Sequence, residues 1–167
     1  MWKLFSPTPG YDQARAELRY LADQLGVGDR VRFAGTVAGD ELPMLLRSAD
    51  VVACTPRQPP RATTALQAMA CGAVVITFAV GVLSDVVVDN VTGLVLSSDT
   101  VGGLAATLRT IVGQNFQCES MGAAGRCRAV SRFAWERIAL DAQNIYRQIG
   151  ATSVVAKLAV GGGPVMQ

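Results

Sequence analysis

The sequence predicts an α/β fold, an open and mostly parallel sheet of about five strands that is covered by helices on both faces. The prediction starts from residues 49–93, in which a strand, a Pro-rich loop, a helix, a Gly turn and a second strand follow one another. Strands that alternate with helices at this spacing are typical of parallel sheets. The two strands, residues 50–54 and 73–78, are near-continuous apolar runs, which indicates burial on both faces. Ligands of such sheets bind beyond the carboxyl ends of the strands, so the loops there are the first candidates for a site.

A strand and an amphipathic helix are predicted at the start of the chain. Residues 2–5 suit a strand, and the Pro and Gly residues at 6–10 predict a turn after it. Residues 12–25 predict a helix that Gly26 closes in the left-handed conformation. The apolar stripe of this helix is expected to pack on the sheet and consists of Ala14, Leu18, Leu21 and Leu25.

A short strand and a second helix lead into the central segment. The strand is predicted at residues 31–33 and ends towards Gly35. The helix is predicted at residues 41–48, with Asp40 as its N-terminal cap. Within the central segment, residues 61–69 predict the helix that joins the two buried strands.

After the central segment, a turn at residues 89–93 precedes a last short strand at 94–96. Three helices follow, predicted at residues 100–112, where Asp99 is the expected cap, at 119–131 and at 135–149. The last helix is expected to bury an apolar face, with Trp135 and Tyr146 packed at its ends. That face consists of Ile138, Ala142, Ile145 and Ile149.

Length and charge favour one globular domain without a nucleic-acid partner. The 167 residues suit a single core, and we expect a domain over residues 1–150 followed by a loose tail at 151–167. Half of the residues are apolar, which excludes a disordered chain. A net charge of +2 is too small to indicate nucleic-acid binding. Arg126, Arg128 and Arg132 are interpreted as a solvated helix face.

The residue types also argue against a metal site, a dinucleotide fold and a membrane span. The chain has no histidine, and its four cysteines lack the C-x-x-C spacing, so we expect free thiols in a reducing compartment. Neither G-x-G-x-x-G after a strand nor G-x-x-x-x-G-K is present. The longest apolar segment, residues 73–83, is shorter than the ~18 residues that a span needs, and no secretory signal opens the chain. We therefore expect a cytoplasmic protein.

One run of motifs resembles a known family. The segment LQAMACGAVVITFAVG, followed by VVDNVTGLVL, is similar to the nucleotide-sugar-binding half of the GT-B glycosyltransferases. The similarity is to the large retaining group called family 4, or glycosyl transferases group 1. It extends to LGVGDRVRFAGTV and ELPMLLRSADVV on one side and to FAWERIALDAQNIYRQI on the other. The resemblance covers residues 3–149, and it implies a Rossmann-like domain that forms one half of a GT-B fold.

The chain departs from the family pattern at two acidic positions. The family carries two Glu residues with seven residues between them, and these positions fall on Pro59 and Gln67. In the family the first carboxylate accepts hydrogen bonds from the donor sugar, and the second holds the ribose hydroxyls. Pro59 has no side-chain acceptor and Gln67 offers only a neutral amide. Both charge-assisted contacts are therefore absent.

The resemblance implies further donor-binding positions. It brings the backbone at Gly35 close to the nucleotide base, and Arg57 and Arg61 add positive charge beside the N-terminus of a helix, which is a ready anion site. An alternative, that both arginines point into water, stays open. The complete set of expected donor-binding residues is Gly35, Pro59, Arg61, Thr63, Thr64, Gln67 and Gly81. No catalytic residue, metal site or cofactor is predicted.

Two functions follow from these expectations. In the first, the chain is a glycosyltransferase domain that binds a nucleotide-diphosphate sugar as donor substrate and is inactive alone, because the family's first strand, basic pair and acceptor domain are lacking. A separate acceptor domain or subunit is then the implied partner. In the second, it is a non-catalytic Rossmann-like remnant or binding module. The missing carboxylates at Pro59 and Gln67 and the missing first strand favour the second function, and the ordered motifs favour the first as the lineage of the chain.

Overall fold

The computed structural model describes residues 2–6, 11–37, 39–56 and 61–149, in which strands and helices alternate along the chain. The predicted tail and the loop positions Arg57 and Pro59 lie outside these residues. The elements are β1 (Trp2–Ser6), α1 (Tyr11–Gln24), β2 (Val31–Thr36), α2 (Glu41–Arg47), β3 (Val51–Cys54), α3 (Thr63–Ala70), β4 (Val74–Phe78), α4 (Leu83–Val86), β5 (Gly93–Leu96), α5 (Val101–Ile111), α6 (Asn115–Phe133) and α7 (Trp135–Gln148).

All strand pairs are parallel, which confirms the predicted α/β class. β1 pairs with β2, and β3, β4 and β5 pair in that order. The prediction was a single open sheet. In the structure the hydrogen bonding is divided into a two-stranded and a three-stranded sheet, because β1 and β3 do not pair with each other.

The core is built around β4, whose five residues are all buried. Alternate side chains of a strand point to opposite faces, and β4 accordingly supplies two clusters. Val75 packs on one face with residues of α2, α3 and α4, among them Leu46 and Met69. Val74 and Ile76 pack on the other face with residues of α5 and α6. Both faces of β4 are thus covered by helices, as the apolar run predicted.

Helix α6 approaches α3 closely at a pair of glycines. The Cα of Gly122 lies so near the carbonyl oxygen of Gly72 that a side-chain carbon at position 122 would collide with it. Gly72 itself has a φ of +83°, which suits glycine far better than other residues. These two residues let α6 lie directly on the turn between α3 and β4.

Two predicted helix caps differ in the structure. Asp40 precedes α2 but makes no cap hydrogen bond, because its own backbone is already helical. The cap of α5 is Thr100 and not Asp99: the Gly103 amide donates to Thr100 Oγ1 over 3.2 Å. Thr100 has the extended backbone that a capping residue requires, and the helix begins one residue later than predicted. Helix α6 begins at Asn115, four residues before the predicted start.

The apolar stripes predicted for the first and last helices are largely exposed. Leu21 and Leu25 of the first stripe are 49% and 66% exposed, whereas Ala22 is buried. In α7 no residue is buried, and Trp135 is 81% exposed. Ile138, Ile145, Tyr146 and Ile149 are exposed as well. The expectation that α7 buries its apolar face is therefore wrong within the described residues, since α7 packs mainly on α6.

The turn before β5 is confirmed and is held by side-chain hydrogen bonds. Asn90 has a φ of +57°, and Asp89 Oδ1 accepts a 2.8 Å hydrogen bond from the Val95 amide. The Val88 amide donates to Thr92 Oγ1 over 2.9 Å, and Thr92 is buried. The predicted left-handed closure of α1 at Gly26, with a φ of +64°, is confirmed too.

Candidate functional site

The candidate site lies at the edge of the sheet where three strands end together. Cys54, the last residue of β3, is in register with Thr77 of β4, and Phe78, the last residue of β4, is in register with Leu96 of β5. The loops that lead to α3 and α4 therefore open side by side on this edge. In parallel sheets this is the edge at which ligands bind. We call it the strand-end crevice.

Among the described residues, no side chain caps the N-terminus of helix α3, which opens at the strand-end crevice. Its N-cap residue, Ala62, has no side chain that could accept a hydrogen bond, and its first turn contains no acidic residue. The first helical hydrogen bond runs from the Leu66 amide to the Ala62 carbonyl over 2.9 Å. The amides of residues 63–65 precede that bond and have no acceptor within the helix. The positive end of the helix dipole is therefore not neutralised by the helix itself.

Four of the predicted site residues come together around this helix end. Arg61 is exposed and stands two residues before α3. Thr63 and Gln67 are both exposed. They lie on one face of the helix because they are four residues apart. Thr64 is half-buried beside them. The opposite face of α3 is fixed in the core by Ala65, Ala68 and Met69, each no more than 1% exposed.

Gly81 lies in the neighbouring loop, between β4 and α4. Its φ of +54° is in the left-handed region that favours glycine, and the residue is exposed. Helix α4 packs on α3, so the Gly81 loop and the α3 N-terminus belong to the same part of the molecule. Because the Gly81 loop follows β4, it opens on the strand-end edge, and the part of Gly81 in a donor site stays a prediction.

Gly35 has a local structural role in β2. It has a φ of +71°, and the register between β1 and β2 shifts there, because Leu4 pairs with Phe33 whereas Phe5 pairs with Gly35. This geometry is a β-bulge, which glycine accommodates. Among the described residues, no hydrogen bond joins Gly35 to the residues of α3. Its part in a donor site stays a prediction.

Arg128 is a residue whose role the sequence did not reveal. The expectation that it belongs to a solvated face is wrong, because its guanidinium donates to the Val86 carbonyl over 2.8 Å and to the Asp85 carbonyl over 2.7 Å. These carbonyls lie at the C-terminal end of α4, where a cation also complements the helix dipole. Arg128 thus holds in place the short helix that follows the Gly81 loop. Arg126 and Arg132 are exposed, as expected.

Cys54 stands at the end of β3, next to the crevice. Burial raises the pKa of its thiol from the ordinary 9.0 to about 11. At neutral pH the group is therefore an uncharged thiol. It adds no negative charge that would repel an anion, and it is not an activated nucleophile. All four cysteines are free, which confirms the expectation of free thiols.

Two absences concern the described part of the chain. In that part no three His, Cys, Asp or Glu residues are grouped so that they could hold a metal ion. None of its helices is both long and apolar enough to span a membrane.

Taken together, the parallel strands, the shared strand-end edge and the open N-terminus of α3 define an α/β domain with a crevice suited to an anionic ligand. The family of glycosyl transferases group 1 matches residues 10–128 of this chain. The chain belongs to that family, and the predicted resemblance is confirmed.

Among curated proteins, a similar relative is the D-inositol 3-phosphate glycosyltransferase of Salinispora tropica. It is 36% identical over 126 residues, which are 75% of this chain and 26% of that protein. The chain thus spans about a quarter of the length of this relative. The similarity therefore covers one part of the relative and not the whole protein.

Solved structures of glycosyltransferases share the fold. Sucrose-phosphate synthase of Thermosynechococcus elongatus superimposes with a TM-score of 0.79 at 30% identity, over 90% of this chain and 38% of that chain. HepE of Anabaena, solved in complex with UDP-glucose, superimposes with a TM-score of 0.74 at 24% identity, over 88% of this chain and 39% of that chain. These neighbours confirm the fold as one half of the GT-B type.

Proposed function

We propose that the strand-end crevice binds the nucleoside diphosphate of a nucleotide-sugar donor, and that the chain is the donor-binding domain of a retaining sugar transferase. The observation that carries the proposal is the uncapped N-terminus of α3, which opens at the carboxyl ends of β3 and β4 in a chain of this family. Free amides and the positive end of a helix dipole form a site for phosphate oxygens.

The side chains at the helix end extend this anion site. Arg61 adds a positive charge, and Thr63 and Thr64 add hydroxyl donors. Gln67, one turn further along the exposed face, offers an amide to the ribose hydroxyls. Gly35 and Gly81 complete the proposed set as glycines at which the backbone approaches the donor. Pro59, which lies outside the described residues, holds the family's first acidic position. The transfer itself requires an acceptor domain or subunit, and the free thiols suit a cytoplasmic setting.

A similar structure supports the choice of ligand. HepE of Anabaena, which shares this fold, binds UDP and UDP-glucose. The identity of 24% supports the shape of the domain, whereas the ligand is inferred from the chemistry of the crevice. A nucleoside diphosphate combines the anionic group that the helix end attracts with ribose hydroxyls that an amide can bind.

Calorimetric titration tests the proposal. UDP and GDP are each titrated into the chain, and weak binding of at least one is expected, because the two carboxylates of the family pattern are replaced. Arg61→Ala should weaken that binding by about two- to fivefold, the range for one exposed charge. Arg126→Ala, which removes another exposed arginine, in α6, should leave the affinity unchanged. Absence of binding by the unmodified chain would refute the proposal.

A second candidate function is a non-catalytic binding module. It is favoured by one observation, that Pro59 and Gln67 replace both carboxylates of the family pattern. Incubation of the chain with UDP- and GDP-sugars and a panel of acceptors, with and without an added acceptor domain, distinguishes the two candidates. Both predict no product from the chain alone. Product formation after addition of an acceptor domain from a group 1 relative would favour the transferase domain.

A further inference from the structure

The strand-end crevice has two unequal walls. One wall is helix α3, which has eight residues and is fixed in the core by its buried face. The other wall is the Gly81 loop, residues 79–82, which leads into the four residues of α4. A single helical turn is too short to be stable through its own hydrogen bonds. The position of the Gly81 loop therefore depends on what holds α4.

Two backbone hydrogen bonds join the Gly81 loop to α4. The Leu83 amide donates to the Val80 carbonyl, and the Ser84 amide donates to the Gly81 carbonyl, each over 3.3 Å. These distances are longer than is usual for an N–H···O bond, so both bonds are weak. A displacement of α4 would break them easily, and the Gly81 loop would then lose its support on this side.

Arg128 secures the other end of α4. Carbonyl groups in the last turn of a helix have no donor within the helix. Among the described residues, the carbonyls of Asp85 and Val86 each accept a hydrogen bond from Arg128 alone, over 2.7 and 2.8 Å. The side chains of Leu83 and Val86 are 1% exposed and attach α4 to the core. Arg128 thus supplies the polar half of this attachment.

Helix α6, which carries Arg128, also lies against the first wall of the crevice. A side-chain carbon at Gly125 would lie 3.6 Å from Met69 Cγ, so α6 and α3 are in close contact one turn before Arg128. The guanidinium carbon of Arg128 lies 5.8 Å from the centre of the Phe133 ring, and Phe133 packs against the same core cluster as Met69. The helix that supports α3 therefore also holds α4, and Arg128 connects the two walls.

We propose that Arg128 is a positioning residue of the donor site. Through α4 it sets the Gly81 loop against the N-terminus of α3, so that both walls contact the nucleotide sugar at once. Arg128 itself contacts α4 and Phe133 and needs no contact with the ligand. The inference rests on the proposed function of the strand-end crevice.

A purely stabilising role of Arg128 leads to a different expectation. Lower stability weakens binding only through the fraction of unfolded protein, and that fraction is negligible for a stable domain well below its Tm. A positioning role instead lowers the affinity of the fully folded protein. It also acts on one wall only, since the buried face of α3 does not depend on Arg128.

Amide hydrogen exchange without nucleotide tests whether Arg128 holds the loop. Arg128→Met keeps the apolar stem and removes both hydrogen bonds to α4. The amides of Leu83 and Ser84 should exchange at least tenfold faster in this variant, whereas the amides of α3 should exchange as in the unmodified chain. Arg126→Met changes an exposed arginine of the same helix and should leave both regions unchanged.

Nucleotide titrations of the same variants, well below Tm, test the effect on the donor site. Arg128→Met should bind UDP or GDP about fivefold more weakly or worse, which is the lower end of the range for coupling between separate sites. Arg126→Met should bind like the unmodified chain. At saturating UDP, the amides of residues 63–65 of Arg128→Met should still shift in NMR spectra, whereas the shift of the Gly81 amide should be lost.

The results that would overturn the inference are distinct from one another. Unchanged exchange at Leu83 and Ser84 would show that Arg128 does not hold the loop. Faster exchange with unchanged nucleotide affinity would refute the positioning role alone and leave the nucleotide site standing. Equal effects of Arg128→Met and Arg126→Met would assign those effects to α6 as a whole. If the unmodified chain binds neither UDP nor GDP, the proposed function fails and this inference fails with it.

Discussion

Gln67 is exposed on α3, and this placement changes what its substitution should do. A carboxylate at position 67 would lose stability through desolvation only if it were buried, and an exposed side chain stays hydrated. Gln67→Glu should therefore leave Tm unchanged, since the two side chains have the same shape and similar helix propensity. Nucleotide affinity should increase about fivefold, or about 1 kcal/mol, through a charge-assisted hydrogen bond to ribose. Calorimetry and thermal melting measure both quantities; unchanged affinity would indicate that ribose does not reach this residue.

Substitution of Gly122 tests whether α6 lies in close contact with the turn after α3. Gly122→Ala places a methyl group against the Gly72 carbonyl, and overpacking of this kind costs about 1–3 kcal/mol. Gly102→Ala in α5 is the matched control, because no atom lies within 4 Å of the added carbon. The control should gain about 0.5–1 kcal/mol from helix propensity. Urea unfolding of both variants gives the two values, and equal effects would mean that the close approach is absent.

The burial of the Cys54 thiol at the strand-end crevice makes both its reactivity and the stability of the protein depend on pH. The pKa of its thiol is raised to about 11 in the folded protein, above the ordinary 9.0. The stability that the protonated thiol contributes is therefore complete below pH 9 and is lost as pH rises towards 11. Alkylation by iodoacetamide at pH 8 should be much slower at Cys54 than at the exposed Cys127, as followed by mass spectrometry. Equal rates at the two thiols would contradict the burial of Cys54.

At the scale of elements, Arg128 joins α6 to the C-terminal end of α4. Arg128→Met keeps the apolar stem but removes both hydrogen bonds to the Asp85 and Val86 carbonyls. We expect a loss of about 1–2 kcal/mol, since the side chain is only half-buried. Arg126→Met on the same helix should change the free energy of unfolding by less than about 0.5 kcal/mol. Chemical denaturation compares the two, and similar losses would show that the bonds to α4 contribute little.

Element types were predictable from the sequence, whereas the surroundings of the elements were not. Apolar spacing correctly predicted a helix at α7, but spacing only tells which side chains share a face. It does not tell whether another part of the molecule covers that face, and Trp135 and Ile138 are exposed. The cap of α5 could not be assigned either, because Asp99 and Thr100 are both good capping residues. The backbone conformation of Thr100 decided between them.

At the scale of the whole molecule, the order of motifs predicted the class and the parallel pairing. Arg61, Thr63, Thr64 and Gln67 lie at one helix end, and their role in donor binding stays a prediction. The division into two sheets was not predictable, because the apolar run of β3 is the same for an inner strand and for an edge strand. Arg128 was also missed, since its acceptors are backbone carbonyls, which no residue type reveals.

The central claim is that the helix end at the strand-end crevice binds a nucleoside diphosphate. An amide NMR titration of the full chain with UDP, repeated with uridine, tests it most directly. With UDP the largest shifts should fall on the amides of residues 63–67 and on Gly81. Uridine, which lacks the diphosphate, should shift residues 63–65 far less. Shifts confined to other elements, or no shifts at millimolar UDP, would contradict the assignment of this crevice.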